Sequence, residues 1–151
     1  MQNAVEELTR LIENHEKEFL SISELEFNAK PFPEKWSKKE ILGHLCDSAS
    51  NNHRRFIMIK HPTSPVKIES YAQNDWVAAN QYQKEFSHVD IIHLWKLLNK
   101  QIINILNSCT APAFEKRFHT DGEATETLAW LVDDYIQHMQ HHLEQINQKQ
   151  S

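Results

Sequence analysis

The stretch SKKEILGHLCDSASNNHRRFIMIK, residues 37–60, has the features of one long helix. Ser37 and Glu40 have the spacing of a capping box, in which each side chain accepts a hydrogen bond from the backbone of the other residue. No proline interrupts the stretch until Pro62 follows His61. We therefore predict a helix that begins after Ser37 and ends at His61.

Three other segments repeat apolar residues at steps of three and four, as an amphipathic helix does. One spans residues 5–22 and ends before the proline-containing NAKPFPEKW, the next spans residues 89–106 behind a cap at Ser87, and the last runs from about Thr125 to Gln148. Four such helices in a chain with only two glycines predict an all-α four-helix bundle. We expect residues 1–151 to form a single domain of this kind.

The connections between the helices differ in length. Residues 62–74 are predicted to form a loop, followed by a short helical piece that Asp75 caps and that carries Trp76. An extended segment is expected around Phe118. The long connection between the second and third long helices means that a simple up-down-up-down order is not assured.

Composition excludes several classes of partner. A net charge of −5 gives no basic surface for nucleic acid. No apolar run is long enough to span a membrane, and the start MQNAVEELTR is not a signal peptide, so we expect a cytoplasmic protein. Two cysteines cannot form a disulfide framework, and we interpret Cys46 as a buried thiol.

Two histidines near the end of the chain share one helix face. His138 and His142 are four residues apart and continue the apolar stripe of the last helix, whereas His141 lies at its edge. Two partly buried, hydrogen-bonded histidines would explain this spacing equally well, and the spacing alone is weak support for a metal site.

The second helix adds a third imidazole. It carries a stripe of polar residues at steps of four, three and four: His44, Ser48, Asn51 and Arg55. Such a stripe usually faces solvent, but His44 sits between Leu42 and Leu45, close to the apolar side. Together with His138 and His142, His44 would supply three nitrogen ligands and leave coordination positions open, as in a catalytic metal site.

These residues resemble the DinB/YfiT-like superfamily of metal-binding four-helix bundles. The resemblance covers roughly residues 36–146 and rests on the following matches: Trp36-Ser37, His44, Asp47-Ser48, Asn51, Arg55-Phe56, Asp75-Trp76, Phe118 to Gly122, and the closing His138, His141 and His142. The chain departs from that pattern at Gln137, where an aromatic is expected, and at Met139, where a small residue is expected. It also begins almost at its first helix, without the usual N-terminal arm.

The resemblance implies a divalent metal ion, nickel or zinc, on His44, His138 and His142. It also implies a homodimer. Relatives include bacterial S-transferases that use bacillithiol and isomerases that depend on mycothiol, and YfiT-like members are often labelled metal-dependent hydrolases.

Other polar residues are candidates for supporting or catalytic roles. Asp47, one turn from His44, either orients an imidazole or is a solvated carboxylate. Arg55 and Asn51 either hold an anionic substrate or, in the case of Arg55, pair with an acid on a neighbouring helix. Asp134, one turn before His138, is a further candidate. The tryptophans at 76 and 130 are interpreted as packing residues, and no role is assigned to the histidines at 53, 61, 88 and 93.

Three functions remain open from the sequence. The first is an enzyme that transfers bacillithiol or another low-molecular-weight thiol to a small electrophilic substrate, with the metal lowering the pKa of the thiol. The second is a metal-dependent hydrolase that activates water, for which Asp47 or a free histidine would be the base. The third is a non-catalytic metal-binding module of a stress response.

Overall fold

The computed structural model describes residues 2–148. In chain order the elements are α1 (Gln2–Ser21), α2 (Glu24–Asn28), α3 (Lys38–Lys60), α4 (Gln73–Asn80), α5 (Tyr82–Glu85), α6 (His88–Asn107), α7 (Ala111–Phe114), β1 (Arg117–His119), β2 (Thr125–Thr127) and α8 (Leu128–Asn147). The long helices α1, α3, α6 and α8 form the predicted four-helix bundle, and the long connection between α3 and α6 contains α4 and α5. None of the helices within these residues has the length and apolar character needed to cross a membrane.

Helix α3 begins and ends where the sequence predicts. Ser37 Oγ accepts a hydrogen bond from the backbone N–H of Glu40 at 3.1 Å, and a Glu40 carboxylate oxygen accepts one from the N–H of Ser37 at 2.9 Å. The capping box is therefore complete. At the other end, the N–H of His61 donates to the carbonyl of Ile57 and closes the last turn.

The apolar stripes of the long helices meet in one core. Phe19 of α1 and Trp95 of α6 are fully buried, with ring centroids 6.0 Å apart. Leu45 and Phe56 of α3 and Val132 of α8 are also fully buried in this core. Each large apolar side chain removed from water in this way contributes about 1.5–3 kcal/mol.

Two predicted boundaries are wrong. The last helix begins at Leu128 because the residues before it form β2, which pairs antiparallel with β1, and Thr127 then caps α8 by accepting from the N–H of Trp130 at 3.1 Å. Asp75 does not cap the short helix, because α4 begins two residues earlier, after Ala72, and Asp75 lies in its first turn. The extended segment around Phe118 is confirmed as β1.

Helix α3 is the central element of the bundle. It packs against α6 and α8 and is also contacted by α4 and α5 from the long connection. As a result, all the residues from Leu42 to Ala49 are buried, including the polar ones. His44 and Ser48 of the polar stripe therefore face protein, so the solvent-facing interpretation does not hold for them, whereas Asn51 and Arg55 are half-buried.

The connection after α3 is fixed to the β-hairpin. The N–H of Ile68 donates to the carbonyl of His119 at 2.8 Å, and the N–H of His119 donates to the carbonyl of Val66 at 2.8 Å. These bonds hold the connection beside α3 and place Ser70 and Tyr71 next to its polar stripe.

Gly43 allows α5 to approach α3, which gives a test of this packing. A Cβ at Gly43 would lie 2.2 Å from Cδ2 of the Tyr82 ring. Replacing glycine by alanine in an ordinary helix stabilises it by about 1 kcal/mol. Here we expect Gly43→Ala to lower the free energy of unfolding by about 1–3 kcal/mol, because the buried ring must move. Urea denaturation measures this change.

Gly122→Ala is the control, because no atom lies within 4 Å of a Cβ at that position. We expect it to change the free energy of unfolding by less than about 0.5 kcal/mol. Equal stability of the two alanine variants would contradict the proposed close contact.

Candidate metal centre

Three histidines from two helices converge in the structure. His44 is fully buried on α3, and His138 and His142 lie half-buried on successive turns of α8. One nitrogen from each ring lies within 4.8 Å of the other two. The Nε2 atoms of His44 and His138 are 3.1 Å apart, and the three pairs of ring centroids are separated by 4.6, 4.7 and 5.0 Å.

This arrangement fits a metal ion bound by three imidazoles. Zinc–nitrogen bonds of about 2.0–2.1 Å place the ligand nitrogens of a tetrahedral site about 3.4 Å apart, close to the separation of the His44 and His138 nitrogens. His142 Nδ1 lies 2.8 Å from the amide oxygen of Gln145. Because an amide oxygen only accepts, Nδ1 carries the proton and Nε2 keeps its lone pair.

Burial keeps these imidazoles neutral. It lowers the pKa of His44 to about 3, with further lowering by His142 and His138. Burial also lowers the pKa of His138 to about 4, again helped by neighbouring imidazoles. The pKa of His142 is lowered by burial as well, although its bond to Gln145 opposes the shift. Neutral imidazole is the form that binds metal.

Two further side chains enclose the histidines. The Trp36 ring lies over His44, with centroids 5.2 Å apart and planes inclined by 31°. Ser48 Oγ lies 3.5 Å from His138 Nδ1, at the outer limit of a hydrogen bond. Both residues belong to the motif that marked the site in the sequence.

A cleft of about 210 Å³ leads to His138. We call it the histidine cleft, and it is lined by Ser48, Asn52, Arg55, Ser70, Tyr71, Gln73, Asp134, Tyr135 and His138. Two of the predicted candidates, Arg55 and Asp134, are therefore at the site. Tyr71 was not predicted, because an isolated tyrosine in a polar connection carries no distinctive spacing.

The Asp47 carboxylate bonds to Tyr82 and Asn80 and not to the histidines. It is buried, so it is not a solvated carboxylate. Its Oδ1 accepts from the hydroxyl of Tyr82 at 2.6 Å and from the amide of Asn80 at 3.0 Å. Within residues 2–148 its Oδ2 and the Nδ1 of His44 are both buried without a hydrogen-bond partner. Asp47 thus makes no bond that orients His44 in this arrangement.

Arg55 lies between the connection and the cleft. Its Nη2 donates to the carbonyl of Glu69 at 2.5 Å, and its guanidinium carbon lies 5.8 Å from the centre of the Tyr71 ring. Among the described residues no carboxylate forms an ion pair with it, so the predicted alternative of pairing with a neighbouring helix is not seen. The Asn51 amide donates to the carbonyl of Asp47 on its own helix.

The remaining candidates have structural contacts. Trp76 packs on Tyr71 and Trp130 on Phe118, with centroids 5.1 and 6.5 Å apart, in agreement with their interpretation as packing residues. His141 is exposed and bonds to Gln145, and buried His88 bonds to the carbonyl of Phe19. Cys46 is buried as predicted, and burial raises the pKa of its thiol.

The chain belongs to the DinB superfamily, whose sequence profile matches residues 7–146. Among curated proteins, one from Halalkalibacterium halodurans is 21% identical over 148 residues, covering 98% of this chain and 85% of that protein. Another, from Oceanobacillus iheyensis, is 22% identical over 145 residues, covering 95% of this chain and 80% of that protein. Both carry the name "Putative metal-dependent hydrolase".

Solved structures show the same fold. YfiT from Bacillus subtilis, described as "a probable metal-dependent hydrolase with an unusual four-helix bundle topology", superposes with a TM-score of 0.82 at 18% identity, over 96% of this chain and 82% of YfiT. A mycothiol-dependent maleylpyruvate isomerase superposes with a TM-score of 0.76 at 10% identity. That match covers 97% of this chain but only 60% of the isomerase.

The buried carboxyl of Asp47 should make stability depend on pH. Burial raises its pKa from 3.8 to about 6, although its bonds to Tyr82 and Asn80 oppose the shift. Between these values the folded protein binds more protons than the unfolded chain, so the free energy of unfolding contributed by Asp47 falls as pH rises. The amide introduced by Asp47→Asn would not titrate. We therefore expect the stability of Asp47→Asn relative to wild type to rise across this window by up to about 3 kcal/mol.

Urea denaturation of chelator-treated protein at several pH values measures this difference, with Asp133→Asn on the exposed side of α8 as the control. The control should follow the wild-type profile. A constant difference between Asp47→Asn and wild type at all pH values would contradict a raised pKa.

Gln145 should support metal binding through His142. Gln145→Leu removes the acceptor that fixes the Nδ1 proton of His142, and loss of such a partner weakens metal affinity about 10- to 100-fold. Competition with a chromophoric zinc chelator measures the affinity. Gln137→Leu, the same change at an exposed position of α8, should leave it unchanged. Unaltered affinity in Gln145→Leu would show that this hydrogen bond is dispensable.

Proposed function

We propose that this protein is a metal-dependent enzyme that transfers a low-molecular-weight thiol to an electrophile at the site formed by His44, His138 and His142. The observation that carries the proposal is the convergence of three neutral imidazoles, one of which, that of His138, lines a cleft that can admit a small molecule. A site with three protein ligands leaves coordination positions for a substrate.

The three imidazoles suit nickel or zinc, and either ion is proposed here. When bound, a divalent ion supplies the positive charge that lowers the pKa of a coordinated thiol or water molecule. Because the ligands are neutral, they do not diminish that charge. Bacillithiol or a related thiol is proposed as the cosubstrate from the resemblance in sequence.

The chain's own residues can assist at the cleft. Burial, followed by the charge of Asp47, raises the pKa of the Tyr71 hydroxyl. The Tyr71 hydroxyl therefore keeps its proton at neutral pH and can donate a hydrogen bond to a substrate oxygen. The transfer forms a carbon–sulfur bond, breaks the bond to the leaving group, which keeps the electron pair, and releases the thiol proton to solvent.

Hydrolysis is the second candidate, and the position of Asp134 favours it. This exposed carboxylate lines the histidine cleft one turn from His138, where it can accept a proton from an attacking water. The names of the curated relatives point the same way. Thiol transfer is preferred because a thiol loses its proton more readily than water and needs no separate base. A non-catalytic metal-binding module is the third possibility.

The assembly and location are also proposals. We propose a homodimer in the cytoplasm, with a small molecule as substrate and with no role in binding nucleic acid or membranes. The dimer is supported by the resemblance in sequence, and the absence of a nucleic-acid role by the net charge of −5.

Metal content tests the site directly. We expect untagged protein purified without chelator to hold about one equivalent of nickel or zinc, measured by inductively coupled plasma mass spectrometry. The triple variant His44→Ala, His138→Ala, His142→Ala should hold none, whereas His93→Ala, which changes an exposed histidine of α6, should match wild type. Absence of metal from wild type after soaking and dialysis would overturn the proposed metal site.

Thiol dependence then separates the two reactions. Metal-loaded protein is assayed with electrophiles and with esters, each in the presence and absence of thiol. Conversion that requires thiol and is lost in His142→Ala supports transfer. Ester turnover without thiol that is lost in both His142→Ala and Asp134→Asn would favour hydrolysis instead.

A further inference from the structure

A second cleft, of about 330 Å³, adjoins the histidine cleft. We call it the basic cleft, and it is lined by Asn51, Arg54, Arg55, Met58, Lys67, Ile68, Glu69, Ser70 and Tyr71. The two clefts share Arg55, Ser70 and Tyr71 in their walls. A molecule in the histidine cleft can therefore extend past Tyr71 toward the basic cleft.

The basic cleft is positively charged in a protein that is negative overall. Three of its lining residues are cations and one, Glu69, is an acid, whereas the whole chain carries a net charge of −5. Within residues 2–148 neither Arg54, Arg55 nor Lys67 forms an ion pair. Burial lowers the pKa of Arg55 and the nearby carboxylates of Asp121 and Asp134 oppose that shift, but neither carboxylate lies within ion-pair distance of these cations.

Arg55 has donors to spare in this position. One of its nitrogens, Nη2, donates to the carbonyl of Glu69, and in the described part of the chain no hydrogen bond engages Nη1 or Nε. A guanidinium offers its N–H groups in a planar fork that matches the two oxygens of a carboxylate. Because it is half-buried beside the Tyr71 ring, it gives a stronger bond than a fully solvated cation would.

The spacing of residues along α3 sets the length of a ligand that would reach both the histidines and Arg55. Ser48, which adjoins His138, lies seven residues before Arg55. At 1.5 Å per residue this corresponds to about 10 Å along the helix axis. A small molecule with its reacting atom at the histidines would place a group several bonds away beside Arg55.

We propose that the basic cleft binds a carboxylate of the substrate whose reacting end lies at the three histidines. This inference rests on the proposed function and defines its substrate class, a small acid that carries the carboxylate several bonds from the reacting atom. Arg55 makes the paired contact, and Arg54 and Lys67 supply additional positive charge.

A matched pair of thiols tests the inference on nickel-loaded protein. Mercaptohexanoate and mercaptohexanol have the same chain and differ in the terminal carboxylate. Binding of either thiolate is followed by the sulfur-to-nickel charge-transfer absorption. We expect wild type to bind mercaptohexanoate about tenfold more tightly, as one charge-assisted paired contact allows.

Substitutions in the basic cleft show which residues cause the preference for mercaptohexanoate. Arg55→Met should bind the two thiols equally. Arg55 also holds the backbone of Glu69, so a second test leaves that contact in place. This test uses the double variant Arg54→Gln, Lys67→Gln. Its preference for mercaptohexanoate over mercaptohexanol should fall by at least half. Lys100→Gln, which removes an exposed cation of α6, should keep the full preference.

The outcomes separate this inference from the proposed function. The proposal that the basic cleft binds a carboxylate would be overturned if wild type bound both thiols equally. It would also be overturned if Arg55→Met and the double variant both kept the full preference for mercaptohexanoate. In either case the proposal of thiol activation would stand. If neither thiol changes the absorption, thiol activation fails, and calorimetric titration with adipate decides the cleft alone. Adipate binding by wild type that is lost in the double variant would support carboxylate binding in the basic cleft. Absence of adipate binding by wild type would overturn it.

Discussion

The burial of α3 on several sides is the constraint on which the site depends. Because α6, α8, α4 and α5 all contact this helix, its polar residues have to find partners inside the protein. His44 finds the imidazoles of α8, with its Nε2 only 3.1 Å from that of His138. Lys38 fixes the same pair of helices at one end, where its buried ammonium group donates to the carbonyl of Ile146 at 2.6 Å. The register between α3 and α8, and hence the separation of the histidines, follows from this packing.

The same burial leaves two polar atoms beside the histidines without a partner from the described residues. Two of the buried polar atoms that lack a partner in the described part of the chain, Nδ1 of His44 and Oδ2 of Asp47, lie one turn apart on α3. A buried polar group costs about 1–3 kcal/mol when neither protein, water nor a ligand pairs with it. A ligand that binds only the folded protein offsets such a cost by mass action. A cluster of neutral imidazoles with unpaired neighbours is thus expected at a functional site and would be a poor solution for a core that served stability alone.

The sequence predicted those features that depend on local spacing. The capping box located the start of α3, the periodicity located the four long helices, and the four-residue step placed His138 and His142 on one face. The hydrogen bond that His142 donates to the amide oxygen of Gln145 could also have been found, because the two residues are three apart on the same stripe. Features that need distant contacts were missed. The bond from Tyr82 to Asp47 joins residues 35 apart, and β2 replaced the first turn of the predicted last helix because its three residues pair with β1. Local preference does not decide between helix and strand for so short a segment.

The two ends of the candidate site are built from different kinds of structure. The histidines stand on α3 and α8, whose positions are set by the core, whereas Ser70 and Tyr71 come from the connection after α3. That connection is held by Ile68, which bonds to His119, and by Ser70, which bonds to Asp121 at 2.8 and 3.0 Å. Substitutions there can reshape both clefts without moving the histidines. Proteins at 10–18% identity share this fold and are described as a probable hydrolase in one case and an isomerase in another, as expected when function depends on the side chains and connections of a site and not on the fold itself.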